Sequence, residues 1–380
     1  MRTPDYELEK RIQSLRVVMS DKGIDVFITG AGAQIDQRGI VRYFLDYYIP
    51  VFAEYMVIPL KGPVTMIPHD YAGARYAETS PAIEDIIPLP SGVSPAKFVA
   101  DVVKKYSQKS VAIANLDGLS YNFAKDLMSE LSGMEVIDIN DDIDKIREIK
   151  SEFEIKQTIL TTKINEDSFF ALLKEVKPGV YDIDAIQKAR AATELMGVED
   201  QYWMIGTQQG AGFWIDAKDK PTMWKEKDLI VGVTEHSYAG GHWGEVANLI
   251  SIGEPDKEII EVQKALAIVQ KEAAKAIKPG NTIGQMADRA QQVLEELGYS
   301  EKYTADSPVR YFGHSQGLDV FEQPIIMSGE TKLMEKGMRL NFHPSASMRD
   351  GRKFSYCVNY YVTESAGVRL TNLSDEIYIV

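Results

Sequence analysis

The chain has 380 residues, of which 44% are hydrophobic, so it exceeds the length that one hydrophobic core usually spans and two domains are expected. Its formal net charge of −14 at pH 7 argues against a nucleic-acid partner, because no surplus of basic residues exists to neutralise phosphates. One cysteine, Cys357, allows no internal disulfide, and the sequence has neither the apolar run of a signal peptide nor one long enough to cross a membrane, so we expect a soluble, cytoplasmic protein without a membrane partner.

The first half of the chain alternates helical and strand patterns. The predicted elements are, in order, a helix over 6–22, a strand over 24–29, a hairpin of 55–60 with 64–67, a helix over 96–106 and a strand over 111–114. This alternation predicts an α/β domain over residues 1–145. The charged segment that follows predicts one connecting helix over residues 146–165.

The second half contains an internal repeat. KPGVYDIDAIQKARAATELMG begins at Lys177 and KPGNTIGQMADRAQQVLEELG begins at Lys278, and each closes on a glycine, Gly197 or Gly298. Each copy predicts a Pro-Gly turn and a helix that ends at the glycine. Similar stretches follow, EKDLIVGV and EKGMRLNF, which begin at Glu226 and Glu335. Two copies of a helix followed by strands predict a pseudo-twofold domain over residues 166–380, with a site between its halves.

Most residues that could carry chemistry lie in this second half. Four of the five histidines are found there with the only cysteine, namely His236, His242, His314, His343 and Cys357. All four tryptophans are there too, Trp203, Trp214, Trp224 and Trp243, and they indicate either core packing or an aromatic wall around a pocket.

These stretches resemble the creatinase, aminopeptidase P and prolidase family. The resemblance covers nearly the whole chain in the expected order, and it is carried by ELEKRIQSLRVVMSDKGID, IREIKSEFEIK, the two Lys-Pro-Gly helices, SYAGGHWGEVANLISIGEP, GHSQGLDVFEQP, EKGMRLNFHP and VTESAGVRLT. It implies a creatinase-type N-terminal α/β domain followed by a C-terminal domain of the pita-bread fold. It also implies a homodimer.

The resemblance fails at the positions that carry the chemistry. Metallopeptidases of this family hold two metal ions with two aspartates, one histidine and two glutamates. The corresponding residues here are Val233, Glu245 (or Gly244, since the register is open by one residue), His314, His343 and Cys357. Two further histidines that move protons in these peptidases correspond to Asp216 and Phe321. A valine cannot bind a metal, so we do not expect a dinuclear Mn or Co centre.

The leading hypothesis is a creatinase-like hydrolase that cleaves a C–N bond of a small cationic compound, guanidino or N-methylated, without a metal. In this mechanism His314 is the acid and base, Glu245 and Asp216 hold a cation or orient the imidazole, and His343 polarises a carbonyl. The candidate substrate-binding residues are Trp214, Glu235, His242, Trp243, Phe321 and Cys357.

Two alternatives remain open. In the first, Glu245, His314, His343 and Cys357 bind a single Zn²⁺ or Fe²⁺, because carboxylate, imidazole and thiolate are suitable donors for either ion. The enzyme would then be a hydrolase or a lyase. In the second, the chain is a non-catalytic protein that binds a small ligand or a peptide.

Overall fold

The computed structural model describes residues 2–207, 221–238, 240–299, 311–347 and 353–380. Contacts divide the chain into two units. The first comprises Met1–Arg147 with Leu318–Val320, and the second comprises Glu148–Gly317 with Phe321–Val380. A search of the described helices for one long and apolar enough to cross a membrane finds none.

The first unit is an α/β domain built on a mixed six-stranded sheet of order β4-β3-β2-β1-β5-β6. Alternate residues of the central strand β1 (Val26–Ala31) face different cores: Phe27 packs with residues of the first two helices, and Ile28 with residues of the fourth and fifth. The sheet therefore has helices on both faces, as the alternating pattern predicts. The other strands are β2 (Glu54–Pro59), β3 (Thr65–Ile67), β4 (Asp85–Ile86), β5 (Ser110–Ile113) and β6 (Glu135–Asp138), and the helices are α1 (Asp5–Asp21), α2 (Gly39–Leu45), α3 (Tyr71–Ala77), α4 (Pro95–Val103), α5 (Tyr121–Glu130) and α6 (Asn140–Glu148).

The single connecting helix predicted over 146–165 is wrong. The chain forms two helices here, because α6 ends at Glu148 and α7 (Glu152–Glu175) begins after Ser151. The Ser151 hydroxyl accepts a hydrogen bond from the Glu154 backbone N–H at 3.2 Å, and the Glu154 carboxylate accepts one from the Ser151 N–H at 3.0 Å. This capping box satisfies the first N–H groups of a new helix and so favours a separate start.

The second unit confirms the predicted repeat. The N–H of Gly179 donates to the Trp224 carbonyl at 2.7 Å, and that of Gly280 donates to the Met334 carbonyl at 3.1 Å, so each Lys-Pro-Gly turn is tied to the chain in the same way. The turns lead into α8 (Asp182–Glu194) and α10 (Ile283–Glu296). One half supplies a sheet of order β17-β9-β8-β7, and the other supplies one of order β11-β10-β12-β15-β16.

The remaining elements of this unit complete the two halves. They are α9 (Lys257–Ala274) and the strands β7 (Val198–Thr207), β8 (Leu229–Tyr238), β9 (His242–Ser251), β10 (Tyr311–Ser315), β11 (Glu322–Met327), β12 (Arg339–Phe342), β13 (Ser345–Ser347), β14 (Lys353–Ser355), β15 (Val358–Val362), β16 (Gly367–Arg369) and β17 (Tyr378–Ile379).

The hairpin of β8 and β9 has one face against helix α7. Gly244 lies on that face, and a Cβ at this position would be 2.8 Å from Cγ2 of Thr161 and 2.9 Å from Nδ2 of Asn165. The strand therefore has no space for a side chain at 244, and the neighbouring Glu245 points to the opposite face, since side chains alternate along a strand.

We expect Gly244→Ala to lower the free energy of unfolding by about 1–3 kcal/mol, because it overpacks the contact between β9 and α7. Urea denaturation followed by circular dichroism measures this change. Thr161→Ser removes the Cγ2 atom, so the double variant should regain part of the loss. An unchanged unfolding midpoint in Gly244→Ala would contradict the assigned strand face.

Candidate metal centre

Glu245 lies on the face of the β8–β9 hairpin opposite α7, together with Val233, Glu235 and Ala247, and all four residues are buried. Glu235 is directly opposite Glu245, and Val233 is directly opposite Ala247, so all four side chains point the same way. Gly244 is opposite His236 on the α7 face. The residue that faces the site is therefore Glu245 and not Gly244, which resolves the register left open by the sequence.

Three candidate ligands meet at this face. Ligand atoms of Glu245, His314 and His343 lie within 4.8 Å of one another. Oε2 of Glu245 is 3.3 Å from Nε2 of His343, and the two imidazole rings stack with their centroids 5.2 Å apart. The three residues come from β9, β10 and the position after β12, so the tertiary fold and not a local motif brings them together.

Cys357 is the fourth candidate donor, and it lies beside this group of three. Cys357 lies between β14 and β15 and forms an isolated β-bridge with Ala247 of β9. Its Sγ is 3.8 Å from Nε2 of His343 and 3.7 Å from the Glu245 carbonyl oxygen. Ligands bound about 2.0–2.3 Å from a tetrahedral Zn²⁺ are separated from one another by roughly 3.3–3.8 Å. The two distances from Nε2 of His343, to the Glu245 carboxylate and to Sγ of Cys357, each fit a pair of donors to one ion, while Cys357 lies outside the group of three whose ligand atoms are all within 4.8 Å of one another.

A hydrogen bond to the backbone fixes the tautomer of His314. Its Nδ1 is 2.7 Å from the Ser315 carbonyl oxygen. Since a carbonyl only accepts hydrogen bonds, Nδ1 carries the proton and the lone pair of Nε2 is available. Metal-binding histidines commonly make this kind of outer hydrogen bond, which fixes the tautomer and the ring orientation.

Burial sets the protonation states of the four residues. It lowers the pKa of His314 to about 4, with a further contribution from His343, and it lowers the pKa of His343 to about 4 as well. Both rings are therefore neutral at pH 7, the form that binds metals. Burial also raises the pKa of Glu245 to about 7, and raises the pKa of the Cys357 thiol well above its ordinary value. A bound cation favours the ionised forms of both groups.

The residues do not fit a two-ion centre. Val233, which by the resemblance corresponds to the family's first aspartate, is fully buried in an apolar cluster with Met204, Ala247 and Cys357. An aliphatic side chain offers no lone pair. A second metal ion would therefore have no donor at position 233.

The other residues that the sequence singles out divide into three groups. Phe321 stacks on the His314 ring with centroids 4.6 Å apart, and 48% of its surface is exposed. Trp243 is buried, two residues before Glu245 on the same strand face. His242 was predicted to bind substrate, but its ring lies edge-on to Phe153 of α7, away from the Glu245 face. Trp214 and Asp216 lie outside the described residues.

Core packing accounts for two further tryptophans. Trp203 and Trp224 are buried in a hydrophobic cluster with α7 and α8 residues. Phe321 and Tyr311 are aromatic residues that stack on the His314 ring, with centroids 4.6 and 6.5 Å from it.

Sequence reasoning missed four polar residues that surround the centre, namely Gln316, Arg339, Asn341 and Asn359. All four are buried. The available signal is their alternation: Arg339 and Asn341 on β12, like Cys357 and Asn359, occupy every second position of a stretch that is otherwise apolar. This spacing places polar groups on one face of a strand.

A family model described as metallopeptidase family M24 matches residues 160–374, and one described as creatinase/prolidase N-terminal domain matches residues 11–149. The chain therefore belongs to metallopeptidase family M24, whose members are hydrolases that normally bind metals. The predicted family and the predicted two-part fold are confirmed.

Relatives and solved structures agree with this assignment. The Xaa-Pro dipeptidase of Pyrococcus furiosus is 22% identical over 356 residues, which cover 90% of this chain and 97% of the relative. A Bacillus subtilis protein named uncharacterized peptidase YqhT is 24% identical over 296 residues, 76% of this chain and 75% of the relative. The crystal structure of dipeptidase PepE from Mycobacterium ulcerans has a TM-score of 0.82 at 19% identity and covers 100% of both chains.

Gly313 gives a direct test of the centre's construction. Its φ is +140°, and an added Cβ would overlap the Asn341 carbonyl oxygen and lie 2.9 Å from Cδ2 of His343. We expect Gly313→Ala to lower the free energy of unfolding by more than about 2 kcal/mol, since strain and overlap add. The matched control is Gly329→Ala, where φ is +79° but nothing described lies within 4 Å of the new Cβ. That variant should lose only about 1 kcal/mol, from strain alone. Equal losses in urea denaturation would contradict the crowding at Gly313.

Proposed function

We propose that this protein hydrolyses a C–N bond of a small compound with one divalent metal ion held by Glu245, His314, His343 and Cys357. The observation that carries the proposal is the spacing of 3.3 and 3.8 Å from Nε2 of His343 to the carboxylate and thiol donors. The mixed donor set of carboxylate, imidazole and thiolate favours zinc or iron over manganese.

The chain's own residues hold and orient this centre. A bound divalent ion would polarise a substrate carbonyl or lower the pKa of water. Ser315 holds the His314 ring through Nδ1, while Phe321 covers one face of the same ring. The neutral imidazoles leave the centre's negative charge to Glu245 and Cys357, which matches one divalent ion.

An unsatisfied amide supports the presence of a bound molecule. Asn341 is fully buried, and neither polar atom of its side chain has a hydrogen-bond partner among the residues described. It is the cross-strand neighbour of His314 on one side and of Asn359 on the other. Buried amides are almost always hydrogen-bonded, so this side chain offers a donor and an acceptor to a polar group of the substrate or a water.

The substrate we propose is cationic. Named relatives include Xaa-Pro dipeptidases, which supports cleavage of an amide-type C–N bond. At Phe321, however, an aromatic ring stands where those peptidases are expected to have a histidine. One face of this half-exposed ring covers His314, and an aromatic face attracts cationic groups.

We expect protein purified without a tag, and never exposed to a nickel column, to contain about one equivalent of zinc or iron per chain, as four protein donors imply. Elemental analysis measures this content. His343→Ala should lose the ion, because it removes one of the central donors. The control is His69→Ala, which changes an exposed histidine of the first unit and should keep the ion. Protein without zinc or iron above background would refute the single-ion centre.

For activity, we expect turnover of a guanidino or N-methylated compound in a panel that also contains Xaa-Pro dipeptides. Phe321→Ala should raise KM for the cationic substrate about three- to tenfold, the range of a single cation–π contact, while Phe321→Tyr keeps the ring and the KM. His314→Ala should lower kcat/KM at least about 100-fold. Cleavage of the dipeptides alone would reject the cationic substrate, and binding without any product would favour a ligand-binding protein.

A further inference from the structure

A buried arginine lies behind the candidate metal centre. Arg339 of β12 is fully buried, and its guanidinium donates to the Trp243 carbonyl at 2.6 Å, to Oε1 of Gln316 at 2.9 Å and to Oδ1 of Asn359 at 3.0 Å. All three acceptors are neutral. A buried charge is costly unless opposite charges lie near it, so the position of this cation requires an electrostatic reason.

The side-chain amides of Gln316 and Asn359 connect Arg339 to the β8–β9 hairpin, which carries two glutamates. Gln316 uses its Nε2 to donate to Oε1 of Glu235, and Asn359 uses its Nδ2 to donate to the Glu245 carbonyl. Each amide therefore accepts from Arg339 with its oxygen, while its nitrogen donates to the hairpin, in Gln316 to the Glu235 carboxylate and in Asn359 to the backbone of Glu245. The charge of Glu322 favours the charged guanidinium most, followed by the charges of Cys357, Glu245 and Glu235. This arrangement holds one positive charge at a fixed place behind the two carboxylates.

We propose that the Arg339 guanidinium is a fixed cation that takes the electrostatic role of the second metal ion. The inference rests on the proposed single-ion centre and concerns how its charge is balanced. Glu322, which also acts on Arg339, is paired with Lys150 at 2.6 Å, so these two charges cancel. With the ion bound, the remaining negative groups are Glu235, Glu245 and the Cys357 thiolate, and the remaining positive ones are Arg339 and one divalent ion. These formal charges cancel, whereas a second divalent ion would leave uncompensated positive charge in a buried place.

The apolar cluster at Val233 is independent support. A second ion would need a donor at this position, and the chain instead packs Val233 against Met204 and Ala247. The loss of the donor at position 233 and the presence of the buried Arg339 cation both disfavour binding of a second metal ion. Arg339 is a positioning residue in this scheme, since its contacts are with Gln316, Asn359 and the backbone rather than with the reacting atoms.

The test is a double-mutant cycle on the full chain, in which each substitution removes one charge and the Zn²⁺ affinity is measured. Chelator-treated protein is titrated with Zn²⁺ against a chromophoric competitor, for the wild type, Glu235→Gln, Arg339→Met and the double variant. Arg339→Met should bind Zn²⁺ about tenfold more tightly and Glu235→Gln about tenfold more weakly, because each changes the nearby charge by one. The double variant restores the balance and should return to within about threefold of the wild type.

Arg339→Lys is the matched control, since it keeps the charge but not the planar fork, and its Zn²⁺ affinity should stay within about threefold of the wild type. A merely structural arginine gives another pattern: Met and Lys both weaken binding, and the double variant is weaker than either single one. That pattern would overturn the proposal. If Arg339→Met does not fold, as judged by circular dichroism, Glu235→Gln decides, because unchanged or tighter Zn²⁺ binding in that variant overturns it as well.

Failure of the single-ion centre has a separate signature. If the wild type binds no Zn²⁺ in this titration, both the proposed function and the role of Arg339 are rejected. If the wild type binds one Zn²⁺ per chain but the charge changes do not compensate, only the role of Arg339 is rejected.

Discussion

The candidate centre depends on the cross-strand pairing of β8 with β9. Glu235 is opposite Glu245, and side chains alternate between the two faces, so this register decides which groups enter the site. A shift of one residue would turn Gly244 and His236 toward the centre and Glu245 toward α7. The shift is prevented at Gly244, where Thr161 and Asn165 of α7 leave no space for a side chain. Packing on one face of the hairpin thereby determines the chemistry on the other.

Burial explains why such a group of residues needs a cation. Glu235 and Glu245 are both buried, and burial together with the charge of Glu245 raises the pKa of Glu235 well above its ordinary value. The same burial lowers the pKa of Arg339 to about 10, which still leaves it charged at neutral pH. Without a metal ion, the centre can be neutral only if its carboxyl groups are protonated. With a metal ion bound, the same groups can release their protons. Proton and metal ion are therefore alternative ways to satisfy the same carboxylates.

The sequence predicts the fold better than it predicts the site. The Lys-Pro-Gly turns and their closing glycines are local signals, and they indicate the repeat that the structure contains. The break before α7 is missed, since the Ser151 cap lies within a charged stretch that favours a helix throughout. Arg339 is missed for a different reason. One charged residue in a short strand indicates an exposed side chain. The amides that accept hydrogen bonds from its buried guanidinium, Gln316 and Asn359, are distant in sequence. His242 is misassigned because a strand's two faces cannot be distinguished from residue type alone.

The substitutions at the centre form a consistent set when they are compared by charge. The ligands of the resembled dinuclear peptidases include four carboxylates, which balance two divalent ions. In the proposed single-ion centre only Glu245 remains from that group, the metal-bound Cys357 thiolate would add a second negative charge, and His343 and Val233 are neutral. Glu235 and Arg339 bring one opposite charge each and cancel. The balance is then suited to one divalent ion, and the change from carboxylate to imidazole and thiolate shifts its preference from manganese toward zinc or iron. A loss of function by random substitution has no reason to preserve the charge balance or the spacing of the donors around His343, so both features support the proposed single-ion centre.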